Sequence, residues 1–145
     1  MFNGGLGFLL TQARNAFLVN MEKELEPLNV TSAQFLIMVG IAHRRAQTLG
    51  EFTQYLGYDS AAMKRLLDRL EDKGLIMRVR CNYDRRTWVL QLTNEGMELY
   101  PKIMQAVGAV HARTLGALSV EEVDQLRRSL QSMIAPVESS NQLAA

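Results

Sequence analysis

The sequence predicts a mainly α-helical protein with one small β-hairpin, that is, an α+β fold. Apolar residues recur every three or four positions along most of the chain, which is the spacing of one face of a helix. Between Gly74 and Thr93 the spacing falls to about two, which is typical of short strands. With 145 residues, of which 48% are hydrophobic, the chain is predicted to form one domain, residues 1–145, around a buried core.

Capping and helix-breaking residues mark the first two helices. Apolar side chains recur at helical spacing up to Leu25, so we predict a first helix from about Leu6 to Glu26. Pro27 ends it because proline has no backbone N–H to continue the hydrogen-bond ladder. Thr31 and Gln34 form a capping-box pattern that begins a second helix, which is predicted to end at residues 43–45.

Glycines separate the next two helices from their neighbours. A short helix is predicted from Leu49 to Leu56, and Gly57 allows the left-handed turn that follows it. The next helix runs from Ser60 to Lys73, and either Asp59 or Ser60 caps its first turn. Gly74 follows, which is the residue favoured just past a helix end.

Two strands and two long helices complete the chain. The strands are predicted at residues 76–80 and 88–92, and the polar residues 81–87 between them form an exposed hairpin loop. Thr93 caps a long helix, and Ser119 begins the last one with a capping-box pattern. We expect the apolar residues of the last helix to face inward: Val123, Leu126, Leu130 and Met133.

Several classes of protein are disfavoured by what the sequence lacks. The chain has no nucleophile–base pair and no glycine-rich phosphate loop, so we expect no enzyme and no cofactor. One cysteine and two histidines are too few for a metal site or a disulfide framework. No apolar run reaches the roughly 18 residues of a membrane span, and no basic segment precedes the first apolar stretch. We expect a cytoplasmic protein without membrane contact.

Positive charge is concentrated in one segment although the net charge of the chain is only +1. Residues 64–86 hold eight of the 16 Lys and Arg residues and four acidic residues, a local net charge of +4. This segment is part of a longer arrangement, in which two helices joined at a glycine are followed by a strand, a loop and a second strand. That order is the layout of a winged helix-turn-helix, which binds double-stranded DNA.

The helix from Ser60 to Lys73 has the two faces that a DNA-recognition helix needs. Its apolar residues fall within an arc of about 100°, while small and basic residues occupy the opposite side. We expect Ala61 or Ala62 to lie near a thymine methyl group, Arg65 to contact a guanine edge, and Lys64 and Arg69 to contact phosphates. An ordinary amphipathic helix with a solvated charged face is the alternative interpretation.

The hairpin loop places two arginines side by side at its tip. One of them is expected to insert into the minor groove, and Asp84 to orient its neighbour through an ion pair. Stability is a weak reason for this arrangement, because an exposed ion pair contributes only about 0–1 kcal/mol. The predicted DNA-binding residues of the whole chain are Ser60, Ala61, Ala62, Lys64, Arg65, Arg69, Arg85 and Arg86.

From about Leu6 to Met133 the chain resembles the MarR (multiple antibiotic resistance regulator) family of bacterial transcription factors. The resemblance lies in MKRLLDRLEDKGLI at residues 63–76, DRR at residues 84–86, LTNEG at residues 92–96, and the spacing between them. It implies a homodimer on a near-palindromic operator, with dimerisation helices at residues 1–30 and 94–137 and a winged helix-turn-helix region at residues 31–93. It also implies a small aromatic or phenolic/carboxylate effector bound between these regions.

Three features leave alternatives open. Phe17, Phe35, Met38 and His43 are candidates to line an effector cavity, but core packing explains such apolar residues equally well. Cys81 is either an incidental surface thiol or a redox sensor activated by the nearby arginines. The low net charge, and alanines where family members often carry Ser or Thr, suggest a rival function as a helical protein-interaction adaptor without DNA binding.

Overall fold

The computed structural model describes residues 5–143, so residues 1–4 and 144–145 of the predicted single domain lie outside it. The chain divides into two compact units, Met1–Val110 and His111–Ala145. The first unit contains the following elements: α1 (Leu6–Leu25), α2 (Ser32–Ala42), α3 (Leu49–Leu56), α4 (Ser60–Asp72), β1 (Ile76–Arg80), β2 (Trp88–Leu92) and the greater part of α5 (Asn94–Leu115). The second contains the end of α5 and all of α6 (Val120–Leu143). The predicted fold class is confirmed.

Proline and a capping box separate α1 from α2 as predicted. A 3₁₀ turn at Glu26–Leu28 contains Pro27 and follows α1 directly. The Gln34 amide donates to the Thr31 hydroxyl at 3.2 Å, and the Thr31 amide donates to the Gln34 side chain at 3.2 Å, which begins α2. No single described helix is long and apolar enough to span a membrane, and Leu6–Leu28 with Ser32–Ala42 meets that criterion only as a pair bent by 80°.

The turn between α3 and α4 has the predicted geometry. Gly57 has a φ of 71°, in the left-handed region that a side chain disfavours. Of the two predicted caps, Asp59 is the one that forms, because its carboxylate accepts the Ala62 amide at 2.8 Å. Thr48 and Glu51 form a second capping box at the start of α3, which the sequence analysis did not identify.

The two strands form an antiparallel hairpin that extends beyond the core. Ile76 pairs with Leu92 at the end near α4, and Arg80 pairs with Trp88 next to the loop. Leu90 is buried, and its amide donates to the Gln47 carbonyl at 2.7 Å, which fastens β2 to the segment before α3. Trp88, two residues nearer the loop, is 46% exposed. Leu90 and Trp88 lie on one face of β2, and this face therefore passes from the core into solvent.

A single cluster of buried apolar residues holds the first unit together. Glycine allows two close approaches within it: a Cβ on Gly40 would lie 2.6 Å from the Phe52 ring, and one on Gly96 would lie 2.1 Å from the Leu75 carbonyl oxygen. The fully buried large side chains are Met21, Leu25, Ile37, Met38, Phe52, Met63, Leu67, Leu70, Ile76, Ile103 and Val110.

The apolar faces at the two ends of the chain are exposed in the single protomer. Leu6, Phe8 and Leu9 near the start of α1 are all more than half exposed. Leu126, Leu130 and Met133 of α6 are also exposed, so the expectation that they face inward is wrong for the isolated chain. Helical spacing shows that residues share one face of a helix, but it does not show which surface, or which molecule, covers that face.

Candidate nucleic-acid interface

The two faces of α4 separate apolar from polar residues as the sequence predicts. Met63, Leu67 and Leu70 are fully buried in the core and hold the helix to the first unit. The predicted contact residues of α4 lie on the opposite side, where all are exposed except the half-buried Ala62: Ser60, Ala61, Ala62, Lys64, Arg65 and Arg69.

The eight basic residues of segment 64–86 fall into two groups. Four of them are engaged by other residues of the described chain: Lys64, Lys73, Arg78 and Arg80. The side chains of the other four make no hydrogen bond or ion pair with residues 5–135, and all four residues are exposed: Arg65, Arg69, Arg85 and Arg86. The free arginines are thus those that the sequence analysis assigned to DNA.

Asp68 connects α4 to the first strand of the hairpin. Its carboxylate accepts the Lys64 ammonium at 2.7 Å and the Arg78 guanidinium at 2.6 Å, and Arg78 also pairs with Glu71. The hydrogen bonds from Lys64 and then from Arg78 hold the pKa of Asp68 below its usual value of 3.8. Lys64, predicted to contact phosphate, is therefore paired within the protein, although its side chain remains 66% exposed.

The loop at residues 81–87, here called the wing loop, is organised by Asp84. One oxygen of this carboxylate accepts the backbone amide of Arg86 at 2.9 Å, and the other accepts the Thr87 hydroxyl at 2.9 Å. These bonds, the one from Arg86 first, hold the pKa of Asp84 below 3.8. The predicted ion pair is wrong, since Asp84 forms none within the described chain and holds its neighbour through the backbone instead. The guanidinium of Arg86 stays free as a result.

A stacked pair stiffens the strand end of the wing loop. The Arg80 guanidinium lies 3.9 Å from the centre of the Trp88 ring and donates to the backbone carbonyl of Arg85 at 2.6 Å. Stacking on an indole and bonding a carbonyl together restrict this side chain. Tyr83 projects from the loop with its side chain fully exposed, and Cys81 is half-buried at the base.

The four residues proposed to line an effector cavity differ in their surroundings in the protomer. Met38 is fully buried in the core, and Phe17 and Phe35 pack against that core. His43 is exposed at the end of α2, where its Nε2 lies 3.0 Å from the Tyr100 hydroxyl. A groove of about 590 Å³ lies elsewhere, and its lining includes Ile41, Arg44, Met77, Leu92 and Met97.

Two contributors to this interface were not found from the sequence. Arg78 counted only as part of the basic segment, and Glu71 only as an acid of α4. Their pairing joins residues seven positions apart on a helix and a strand, so no periodicity within one element indicates it. The Thr48 capping box did have a sequence pattern, with an acidic residue three positions after a threonine.

Comparison with protein families places these elements in a known class. The MarR family model matches residues 30–88, which span α2 to the start of β2. The organic hydroperoxide resistance transcriptional regulator of Bacillus subtilis is 27% identical over 136 residues, covering 94% of this chain and 91% of the relative. The multiple antibiotic resistance protein MarR of Escherichia coli is 29% identical over 133 residues, covering 87% and 92% of the two chains.

Solved structures show the same fold over nearly the whole chain. A mutant MarR from Escherichia coli complexed with operator DNA matches with a TM-score of 0.81 and 29% identity, covering 92% of this chain and 98% of that one. CouR from Rhodococcus jostii RHA1, bound to p-coumaroyl-CoA, matches with a TM-score of 0.83 and 26% identity, covering 92% and 94%.

Proposed function

We propose that this chain, which belongs to the MarR family, is a sequence-specific transcriptional regulator that binds double-stranded DNA and acts as a ligand-responsive repressor. The observation that carries the proposal is the division of charge in the basic segment. The four arginines left without a protein partner lie on the exposed face of α4 and on the wing loop. One relative is a transcriptional regulator by name, and a mutant MarR was solved with operator DNA, so we propose no enzymatic activity.

The roles of the interface residues follow from where the structure holds them. The exposed face of α4 enters the major groove, with Ala61 or Ala62 against a thymine methyl group and Arg65 on a guanine edge. Arg69 contacts a phosphate, as does Lys64 when its ammonium turns from Asp68. The wing-loop arginines Arg85 and Arg86 reach the adjacent minor groove, which attracts cations.

A homodimer accounts for the exposed apolar residues at both ends of the chain. Contiguous exposed apolar patches larger than a few hundred Å² generally mark interfaces. We propose that the helices of residues 1–30 and 94–137 form the dimer contact and that residues 31–93 form each DNA-binding region. Two-fold symmetry then places the two α4 helices about 34 Å apart, one turn of DNA. Sedimentation should give twice the 16.3 kDa mass of the chain.

A small effector is proposed to release the dimer from DNA. The complex of CouR with p-coumaroyl-CoA supports an aromatic or phenolic/carboxylate ligand for this chain. Such a ligand acts by favouring a dimer with the wrong spacing of half-sites. Thermal unfolding in the presence of aromatic acids tests this, because a ligand at 100 times its Kd adds about 2.7 kcal/mol of stability. The site of action, operator DNA, places the protein in the cytoplasm.

The function is tested by a fluorescence anisotropy titration of the full chain against the DNA upstream of its own gene. We expect tighter binding to that DNA than to a shuffled sequence of equal length, with an affinity that falls steeply as salt rises. Binding that is absent, or that ignores salt and sequence, would favour the adaptor function instead.

A further inference from the structure

The recognition helix and the hairpin are joined by a cluster of charged side chains. Asp68 and Glu71 lie on α4, and the Arg78 guanidinium of β1 bonds both carboxylates. We call Asp68, Glu71 and Arg78 the α4–β1 bridge. Lys64 also belongs to this cluster, because its ammonium pairs with Asp68 at 2.7 Å, so the cluster contains two carboxylates and two cations. The cluster therefore carries no net charge, while the side chains of Arg65 and Arg69 on the same helix have no partner among the described residues.

The strand that carries Arg78 also holds the wing loop. Residues two apart on a strand project to the same face, so Arg78 and Arg80 lie side by side along β1. Arg78 reaches α4, and Arg80 stacks on Trp88 and bonds the Arg85 carbonyl. The backbone of β1, through Arg78 and Arg80, thus connects the α4 carboxylates to the backbone of the loop that carries Arg86.

Stability and simple attraction to DNA both fail to explain the bridge. Exposed ion pairs contribute little to folding, and the side chains of Asp68 and Glu71 are more than one-third exposed. Two carboxylates on a DNA-facing helix also oppose binding, because they repel phosphates. Each carboxylate accepts from a different nitrogen of the Arg78 guanidinium, and this arrangement has a geometric use, since a planar fork between two acceptors restricts direction as well as distance.

We propose that the α4–β1 bridge is a positioning device that sets the wing loop relative to α4 and thereby determines sequence specificity. This inference rests on the proposed function. In an operator, the major-groove and minor-groove contacts lie at a fixed distance from each other. When the wing loop is held at that distance from α4, the helix and the loop contact their grooves at the same time. Loosening the bridge lets each arginine contact DNA independently, so binding persists but discriminates less between sequences.

The test uses Asp68→Asn, which preserves the shape of the side chain but removes its charge. Asp72→Asn is the matched control, since Asp72 is exposed on the same helix and its side chain makes no hydrogen bond or ion pair with the described residues. Electrostatics alone predicts that Asp68→Asn binds all DNA more tightly. Positioning predicts instead that its preference for operator over random DNA falls about 2- to 30-fold, with no such fall in the control. Arg78→Met should lose the same preference, and Arg78→Lys should retain part of it.

A second measurement requires no DNA and separates the bridge from the proposed function. Trp88 is the only tryptophan of the chain, so its quenching by acrylamide reports on the base of the wing loop. We expect stronger quenching in Asp68→Asn and Arg78→Met than in the wild type and Asp72→Asn, at unchanged helix content by circular dichroism. Equal tightening on operator and random DNA, or unchanged quenching, overturns the proposal. A wild type that does not discriminate operator DNA overturns the proposed function, and the quenching then still decides whether the bridge positions the loop.

Discussion

Asp84 holds Arg86 by the backbone amide of Arg86 and leaves the Arg86 side chain without a partner in the described chain. The carboxylate accepts the Arg86 amide at 2.9 Å, and the guanidinium has no partner in the described chain. The loop is therefore ordered, and the positive charge of the Arg86 guanidinium is not neutralised by Asp84. A side-chain ion pair would have stabilised the same loop but would have neutralised the cation.

Replacing Arg86 with alanine should weaken binding to every DNA sequence to a similar degree. The side chain is proposed to contact the minor groove, which is read mainly by shape and potential. We expect the slope of log affinity against log salt concentration to become shallower by roughly one unit. Arg45→Ala, in the loop between α2 and α3, removes an equal charge outside the proposed contacts and serves as the control. An unchanged or steeper slope would contradict insertion of the wing loop.

Arg65→Ala should change which sequence is preferred as well as the affinity. A guanidinium that bonds a guanine edge is worth about 1–3 kcal/mol of discrimination, so we expect a loss of that size at one operator position in each half-site. Binding to a panel of operators with single substitutions measures it. If the variant keeps both the wild-type affinity and its preference at every position, Arg65 does not read a base.

Two glycines of α5 should respond to alanine in opposite directions. A Cβ on Gly96 would lie 2.1 Å from the Leu75 carbonyl oxygen, which is backbone and cannot rotate away. We expect Gly96→Ala to lower the free energy of unfolding by about 1–3 kcal/mol. A Cβ on Gly108 meets nothing within 4 Å, so Gly108→Ala should raise it by about 0.5–1 kcal/mol. Urea denaturation measures both, and equal effects would refute the close approach.

The ordering of the wing loop and of the α4–β1 bridge should not depend on pH in the neutral range. Asp68 and Asp84 both have a pKa below the ordinary value of 3.8, through the hydrogen bonds that they accept. Their contribution to stability is thus complete above the unfolded-state pKa and is lost as the pH falls through the lowered pKa of the folded state. Trp88 emission should stay constant between about pH 7 and pH 5 and change only below about pH 4. A change in the neutral range would count against this account.

Cys81→Ser should leave the response of DNA binding to hydroperoxides as it is in the wild type. Arg80, the nearest cation in sequence, is stacked on Trp88 and bonded to the Arg85 carbonyl, so it is not free to stabilise a thiolate. Anisotropy titrations with and without an organic hydroperoxide compare the two proteins. A response that the wild type shows and the variant lacks would make Cys81 a sensor.

Features that arise from neighbouring residues were predictable from the sequence. The Thr31 capping box, the left-handed Gly57 and the bounds of α3, β1 and β2 all agree with the structure. Each depends on groups within a few residues of one another, whose spacing along the chain is also their spacing in space. The exposed face of α4 was predictable for the same reason.

Features that join distant segments were decided only by the tertiary structure. Asp68 and Glu71 could have been solvated acids, and only the packing of β1 beside α4 brings Arg78 to them. Met38 could have lined a cavity, but α2 packs it into the core. The sequence by itself determined which residues form each helix and strand and which face of each element is polar. It did not determine the partner of a side chain, because that partner depends on which other elements fold against it. The tertiary structure decided which of the eight basic residues are bound within the protein and which four have no partner among the described residues.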